Sequence, residues 1–283
     1  MRVITQPDDG VAPLIKAITR ARTSVDIVVF RFDIDAIEEA LTAAVKRGVA
    51  VRALIAHTNR GGESKLRKLE SRLLKAGVTL SRTADDMVRY HGKLLVVDKR
   101  QAFVLGFNYT RQDIEKSRSL GLVTRNPKIV RDLMKVIEAD HNRTDLEITS
   151  TRVVVSPENA RQRLMDFVRR ARRELLIYDM NISDDEMIAL LKKQAESGIR
   201  IKVLGNVEKK WLDELAWKVR PFKTMKLHVR CMVRDRTAAF VGSQSLRKLE
   251  LDNRREVGLI TKDPRAISRI AVVFTADWKN NKG

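Results

Sequence analysis

LIKAITRARTSVDIVVFRFDIDAIEEALTAAVKRGVAVRALI (14–55) lines up without a gap on LMDFVRRARRELLIYDMNISDDEMIALLKKQAESGIRIKVLG (164–205), at a shift of 150 residues. In the first stretch the apolar runs VDIVVF (25–30) and VAVRALI (49–55) follow amphipathic runs near 11–22 and 35–47. Apolar residues three and four apart predict helices, and short β-branched runs predict strands. ELLIYD (174–179) and IRIKVLG (199–205) repeat the two strands in the second stretch. Strand–helix–strand order predicts parallel strands joined by crossovers, and its recurrence predicts a duplicated chain.

Working outward, LLVVD (94–98), AFVLG (102–106) and SLGLVT (119–124) predict further strands, followed by a helix near 127–139. HVRCMV (228–233), AAFVGS (238–243), EVGLIT (256–261) and a helix over 264–278 repeat them at a shift of 137. The first copy therefore holds 150 − 137 = 13 more residues between its front and this part. They fall within His57 to Arg89, where GGESKLRKLESRLLKAG (61–77) reads as a longer helix than WLDELAWKV (211–219). The polar stretch HNRTDLEITS (141–150) lacks periodicity and marks a boundary between residues 1–145 and 146–283. The expected fold is α/β: two similar α/β-sandwich halves, each a mixed, largely parallel sheet with helices on both faces. Packed about a pseudo-two-fold axis, the halves bring equivalent residues together.

The same shift of 137 relates HGKLLVVD (91–98) to HVRCMVRD (228–235). Both read His-x-(Lys/Arg)-x-x-x-x-Asp. Residues two apart on a strand share a face, so His91 points with Lys93 and His228 with Arg230. Asp98 and Asp235 lie an odd number of positions further on and are expected to support the motif rather than touch substrate. Two imidazoles, an ammonium and a guanidinium in one pocket suit a phosphate: the cations neutralise its oxygens, one histidine attacks, the other protonates the leaving oxygen. No metal-ligand signature accompanies them, and no cofactor is required. His57 and His141 have no counterpart in the other copy and read as peripheral.

Composition bounds the partners. The 283 residues carry 56 Lys and Arg against 36 Asp and Glu, a net charge of +20. Such a balance fits either a solvated basic surface or a polyanionic partner, nucleic acid or an anionic membrane surface. Cys231 alone excludes a disulfide framework and a Cys-rich metal site, and reads as core. No apolar run approaches the roughly 20 residues that span a bilayer, and the N-terminus lacks a signal-peptide core. A cytoplasmic chain is expected, with peripheral membrane association open to it. Both half-sites lie in one chain, so a monomer suffices and no protein partner is implied.

These motifs resemble those of the phospholipase D superfamily, whose signature is a pair of His-x-Lys-x-x-x-x-Asp motifs, each followed by Gly-Ser/Gly-x-Asn. The resemblance covers essentially the whole chain, with Leu105-Gly106-Phe107-Asn108 and Gly242-Ser243-Gln244-Ser245 as the follow-on motifs. It implies a phosphohistidine intermediate and metal-independent cleavage or transfer at a phosphodiester. It further implies His91 as nucleophile and His228 as general acid, or the reverse. Lys93, Asn108, Arg230 and Ser243 would hold phosphoryl oxygens. Glu256 matches the family's histidine-orienting glutamate, while the equivalent position in the first copy is Ser119. Arg230 in place of Lys, Leu105 in place of Gly and Ser245 in place of Asn depart from the pattern.

Three readings follow: an enzyme on phospholipid, by hydrolysis or phosphatidyl transfer; a nuclease on DNA or RNA; and a catalytically weakened module that binds polyanions or membranes. Aromatics are only 5% of residues, which supplies few stacking platforms for single strands. Tyr90, Phe107 and Tyr109 flank the first motif and could line the pocket mouth; Trp211 and Trp217 read as core.

Overall fold

The structure, a computed structural model, describes residues 1–59, 62–214 and 217–281. The first copy of the repeat gives β1 (Arg2–Gln6), α1 (Ala12–Thr19), β2 (Ser24–Val29), α2 (Asp35–Lys46), β3 (Ala50–Ile55), α3 (Glu63–Lys75), β4 (Thr79–Arg82), β5 (Arg89–Tyr90), β6 (Leu94–Val97), β7 (Gln101–Leu105), α4 (Arg111–Glu115), β8 (Ser117–Thr124) and α5 (Pro127–Asn142). The second gives β9 (Val153–Ser156), α6 (Ala160–Arg169), β10 (Glu174–Ile182), α7 (Asp185–Glu196), β11 (Arg200–Val207), a 3-10 turn (Lys209–Glu214) and β12 (Lys218–Arg220). It continues with β13 (Lys226–Leu227), β14 (Arg230–Arg234), β15 (Ala238–Gly242), α8 (Lys248–Asp252), β16 (Arg254–Thr261) and α9 (Pro264–Asn280).

Two eight-stranded mixed sheets result. One runs β1-β8-β7-β6-β2-β3-β4 with β13 also on β8; the other runs β12-β11-β10-β14-β15-β16-β5 with β9 also on β16. They are less parallel than expected. Among the named strands of the described residues, parallel pairing is confined to β2-β3-β4, β10-β11-β12 and the short pairs β13–β8 and β16–β5. The strands after each motif are joined by tight hairpins or short links, which force antiparallel neighbours. WLDELAWKV (211–219) also departs from expectation: its start lies in the 3-10 turn and its end in β12, parallel to β11, while residues 215–216 lie outside the described residues.

Side chains of each sheet alternate between an outer core of its own and a central core shared by both sheets, as period two requires. Leu95 and Phe103 face outward onto α1, α2 and α3, in a cluster with Leu14, Ile37 and Leu69. Leu94, Val96 and Val104 face inward, toward Cys231, Val233 and Val241 of the other sheet. α5 and α9 fill this central layer through Leu133, Ile137, Ile270 and Phe274. Each begins the same way. Asn126 and Asp263 cap the first turns with side-chain oxygens, and Pro127 and Pro264 follow at the first helical positions.

The two copies also exchange backbone. β5 of the first pairs with β16 of the second, and β13 of the second pairs with β8 of the first. Those two-residue strands immediately precede His91 and His228.

Candidate active site

Strand exchange sets the positions of the two histidines. The His91 backbone N–H donates to Arg255 O (2.7 Å), and that of His228 donates to Arg118 O (3.0 Å). Each histidine is thus pinned to the final strand of the opposite copy. Lys93 then sits just ahead of β6 and Arg230 opens β14. All four side chains are buried, with Lys93 1% exposed.

Around His91 the contacts are close. Its Nδ1 lies 2.7 Å from Glu256 Oε2 and 2.8 Å from Lys93 Nζ. One ring nitrogen offers either a proton or a lone pair, so only one of these is a hydrogen bond at a time. Donation to Glu256 leaves the lone pair on Nε2. Phe30 meets the imidazole edge-on at 4.5 Å between centroids. His228 has a different neighbour. Its Nδ1 lies 3.1 Å from Asp113 Oδ2, an ion-pair distance without the alignment of a directed hydrogen bond. The same oxygen accepts from the Asn108 backbone N–H (2.9 Å) and side-chain Nδ2 (2.7 Å).

Among the phosphate ligands expected from sequence, Arg230 donates from Nε to Ser245 Oγ (3.2 Å) and keeps a buried Nη1 with no protein partner. Asn108 is buried beside Asp113, its Oδ1 unpartnered. Ser243 is differently placed. Its hydroxyl donates to Val257 O (3.3 Å) and accepts from Val257 N–H (3.2 Å), tying β15 to β16.

The electrostatics follow from burying cations together. Burial, then Lys93 and Arg230, hold His91 well below the ordinary imidazole range. Burial also lowers His228, to about 4, with Asp113 opposing and Arg230 adding to the depression. Lys93 falls to about 7 through burial, against the pull of Glu256. Glu256 is raised by burial, opposed by Lys93. Burial would raise Asp113 too, but the neighbouring His228 and the Asn108 N–H groups outweigh it and hold it low. An anion entering this site would favour the charged forms of Lys93 and both histidines.

The motif aspartates sit at the hairpins. Asp98 and Lys99, like Asp235 and Arg236, have φ between 50° and 54°, the left-handed central pair of a type I′ turn within a three-residue hairpin loop. Asp98 Oδ1 accepts from the N–H groups of Thr23 (2.7 Å) and Ser24 (3.1 Å). Asp235 accepts from Arg172 (3.0 Å), Arg173 (2.7 Å) and Glu174 (3.0 Å). Each carboxylate therefore clamps the loop before the first long strand of its copy.

Elsewhere the sequence reading is mixed. Phe107 and Tyr109 belong to the outer core and do not line a mouth; the Tyr109 hydroxyl donates to Leu94 O (2.7 Å). Tyr90 is buried and donates to Asp86 (2.7 Å). His57 is exposed and His141 partly so, while Cys231 is core. Asp113 and Phe30 were not singled out from sequence. Asp113 had a signal: Glu250 lies 137 residues on, so both copies carry an acid there.

A cavity of about 320 Å³ opens beside Asn108 and Asp113, rimmed by Arg31, Lys65 and Lys226. Another cavity, of about 600 Å³ at the start of α5, contains no motif residue and is no guide to the chemistry. Among the described residues no cluster of three His, Cys, Asp or Glu forms a metal-ligand set.

Comparison with known proteins gives a consistent picture. The family model described as "Cardiolipin synthase, PLD-like domain" matches residues 14–141 and 164–278. Mitochondrial cardiolipin hydrolase from Danio rerio is 27% identical over 130 residues, 44% of this chain and 56% of that protein. The chain spans about half the length of the curated relatives it matches. Polyphosphate kinase from Porphyromonas gingivalis superposes on 98% of the chain, using 47% of its own, with a TM-score of 0.82 at 17% identity. Phosphatidylserine synthase from Haemophilus influenzae covers 99% of the chain and 86% of its own, with a TM-score of 0.73 at 9% identity. At these identities the two structures speak for the fold alone.

Proposed function

The chain belongs to the cardiolipin synthase, PLD-like domain family, and from that premise we propose that it is a phosphodiester hydrolase or phosphatidyltransferase acting on phospholipids through a phosphohistidine. Residues 1–145 and 146–283 are its two phospholipase D-like halves, completing one site between them. The observation that carries the reading is His91 held against Glu256 of the opposite half, beside buried Lys93 and Arg230.

The contacts support a division of labour between the histidines. His91, held neutral by burial, attacks phosphorus with the Nε2 lone pair. A P–N bond forms as the P–O ester bond breaks, and that electron pair leaves with the alcohol oxygen. His228, charged with help from Asp113, gives that oxygen its proton. Water or an acceptor alcohol then attacks phosphorus, returning a proton to His228 and the P–N electrons to His91. Lys93, Arg230 and the Asn108 amide hold the non-bridging oxygens, where charge-assisted bonds favour the more charged transition state. Neither a metal nor a cofactor takes part.

Lipid is favoured over nucleic acid by the family description and by the name of the curated relative. No helix among the described residues is long and apolar enough to cross a membrane. The +20 charge equally suits nucleic acid, which makes nuclease activity the competing reading.

The test is turnover of labelled phosphatidylglycerol, cardiolipin, single-stranded DNA and RNA in EDTA. Lipid cleavage or transfer is expected, with a trapped phosphoenzyme that His91→Ala abolishes. Turnover of nucleic acid alone would replace the substrate, and loss in EDTA would overturn the metal-free route. Salt-dependent binding without turnover of either would leave a polyanion-binding module.

A further inference from the structure

The equivalence between the copies fails at the acids that face the histidines, and the failure is compensated. Glu256 reaches His91, but its counterpart Ser119 only donates to His228 O (3.1 Å) and offers no charge. Asp113, on α4, stands against His228 instead. Its counterpart Glu250 also accepts from the backbone of its copy, at Ser245 N–H (2.8 Å), but pairs with Arg254 (3.1 Å). The first copy has Ser117 where the second has Arg254, so no adjacent arginine competes for Asp113. Both acids are buried, but two things distinguish Asp113: the Asn108 side chain fixes it as well as the backbone, and the imidazole is its nearest cationic partner.

We propose that Asp113 is the positioning residue for His228, supplying through α4 the carboxylate that position 119 lacks and favouring the protonated ring that donates to the leaving oxygen. The proposal rests on the reading above for its catalytic meaning but not for its geometry. Asp113 stands 3.1 Å from the imidazole, and the attraction strengthens when His228 gains its proton. Opposing it are Arg230 on the same segment, Lys93 ahead of β6, and His91 across the site. Asp113 stabilises the imidazolium against all three. Asn108 consequently has a second task beyond phosphate: it holds Asp113 in place.

The experiment follows His228 by selectively labelled nitrogen NMR in the full chain, alongside pH–rate profiles. In the wild type, His228 should carry its proton on Nδ1, facing Asp113, when neutral. Asp113→Asn keeps the shape and an acceptor for Asn108 but removes the charge. It should move the His228 titration to lower pH and shift the alkaline limb of kcat the same way. The expected fall in kcat is at least about tenfold, a part of the roughly 10²–10⁴ that a positioned acid contributes in full. Asp113→Glu, which retains the charge, should keep the limb near its wild-type place. An unchanged His228 titration in Asp113→Asn overturns the proposal, as does the opposite tautomer in the wild type, which needs no variant to fold. If the wild type turns over no phosphodiester, the functional reading falls, and the titration still decides on Asp113.

Discussion

Lys93 and Arg230 occupy equivalent positions, yet the pocket uses them differently. The Lys93 ammonium lies 2.8 Å from His91 Nδ1 and within the field of Glu256, and burial brings it to about 7, so an anion entering the site would decide its charge. Arg230 is anchored through Nε to Ser245, the residue that stands where the first copy has Asn108. Arginine at 230 and serine at 245 thus form one adaptation, because the guanidinium spans a gap that a shorter amide would have filled. Arg230→Lys should lower kcat by roughly tenfold, the loss of about 1.4 kcal/mol of transition-state stabilisation. Steady-state kinetics check this; a rise would mean that the arginine compromises the site. The histidines leave a mark on stability as well. His228 drops from 6.5 to about 4 on folding. Above 6.5 both states are neutral; between 6.5 and 4 the unfolded chain binds a proton that the folded chain refuses. Stability is therefore lost as pH falls through that window, by up to about 3 kcal/mol from this group. Urea unfolding at pH 7 and 5 should show the decline, and His228→Gln should show less of it.

The elements nearest the site are the ones a sequence conceals best. Long strands such as β2, β3, β6 and β7, and the capped helices α5 and α9, were legible because their periodicity and end signals are local. The histidine motifs were legible because duplication doubled the signal. β5 and β13 were not, since two residues carry no period and pair with a strand more than 100 residues away. The excess of antiparallel pairing was missed because strand–helix alternation describes only the front of each copy. Asp113 carried a repeat signal in Glu250, but nothing local in the sequence ties that acid to a histidine; only the fold brings α4 against His228 of the other copy. The motif aspartates show how an element depends on one residue. Asp235 combines a left-handed φ of 50° with three accepted N–H bonds from the α6–β10 loop. Alanine tolerates that φ poorly and leaves the donors unmet. Asp235→Ala should cost about 2 kcal/mol or more in thermal unfolding, and an unchanged melting temperature would deny the clamp its role.

Across the whole molecule, the interface between the copies carries polar as well as apolar anchors. Arg118 of β8 pairs with Asp277 of α9 (2.8 Å), and Arg255 of β16 pairs with Asp140 of α5 (2.8 Å). These pairs are related by the same shift of 137, and each joins one copy to the other. Arg118 and Arg255 also accompany the carbonyls that receive the two histidine N–H groups, so the same residues fix the interface and the site. A buried pair contributes little net stability over an apolar replacement, but removing one partner strands the other charge. Arg118→Met alone should therefore cost about 3 to 5 kcal/mol, while Arg118→Met with Asp277→Leu should recover much of it. Turnover should separate from stability here, because the double variant loses the side chain that frames the carbonyl accepting from His228. A double-mutant cycle measured by urea unfolding, with kcat followed in parallel, checks both halves of the argument. If Arg118→Met is neutral, the cross-copy pair does not hold the halves in register; if the double variant regains stability and full activity, the apolar layer suffices.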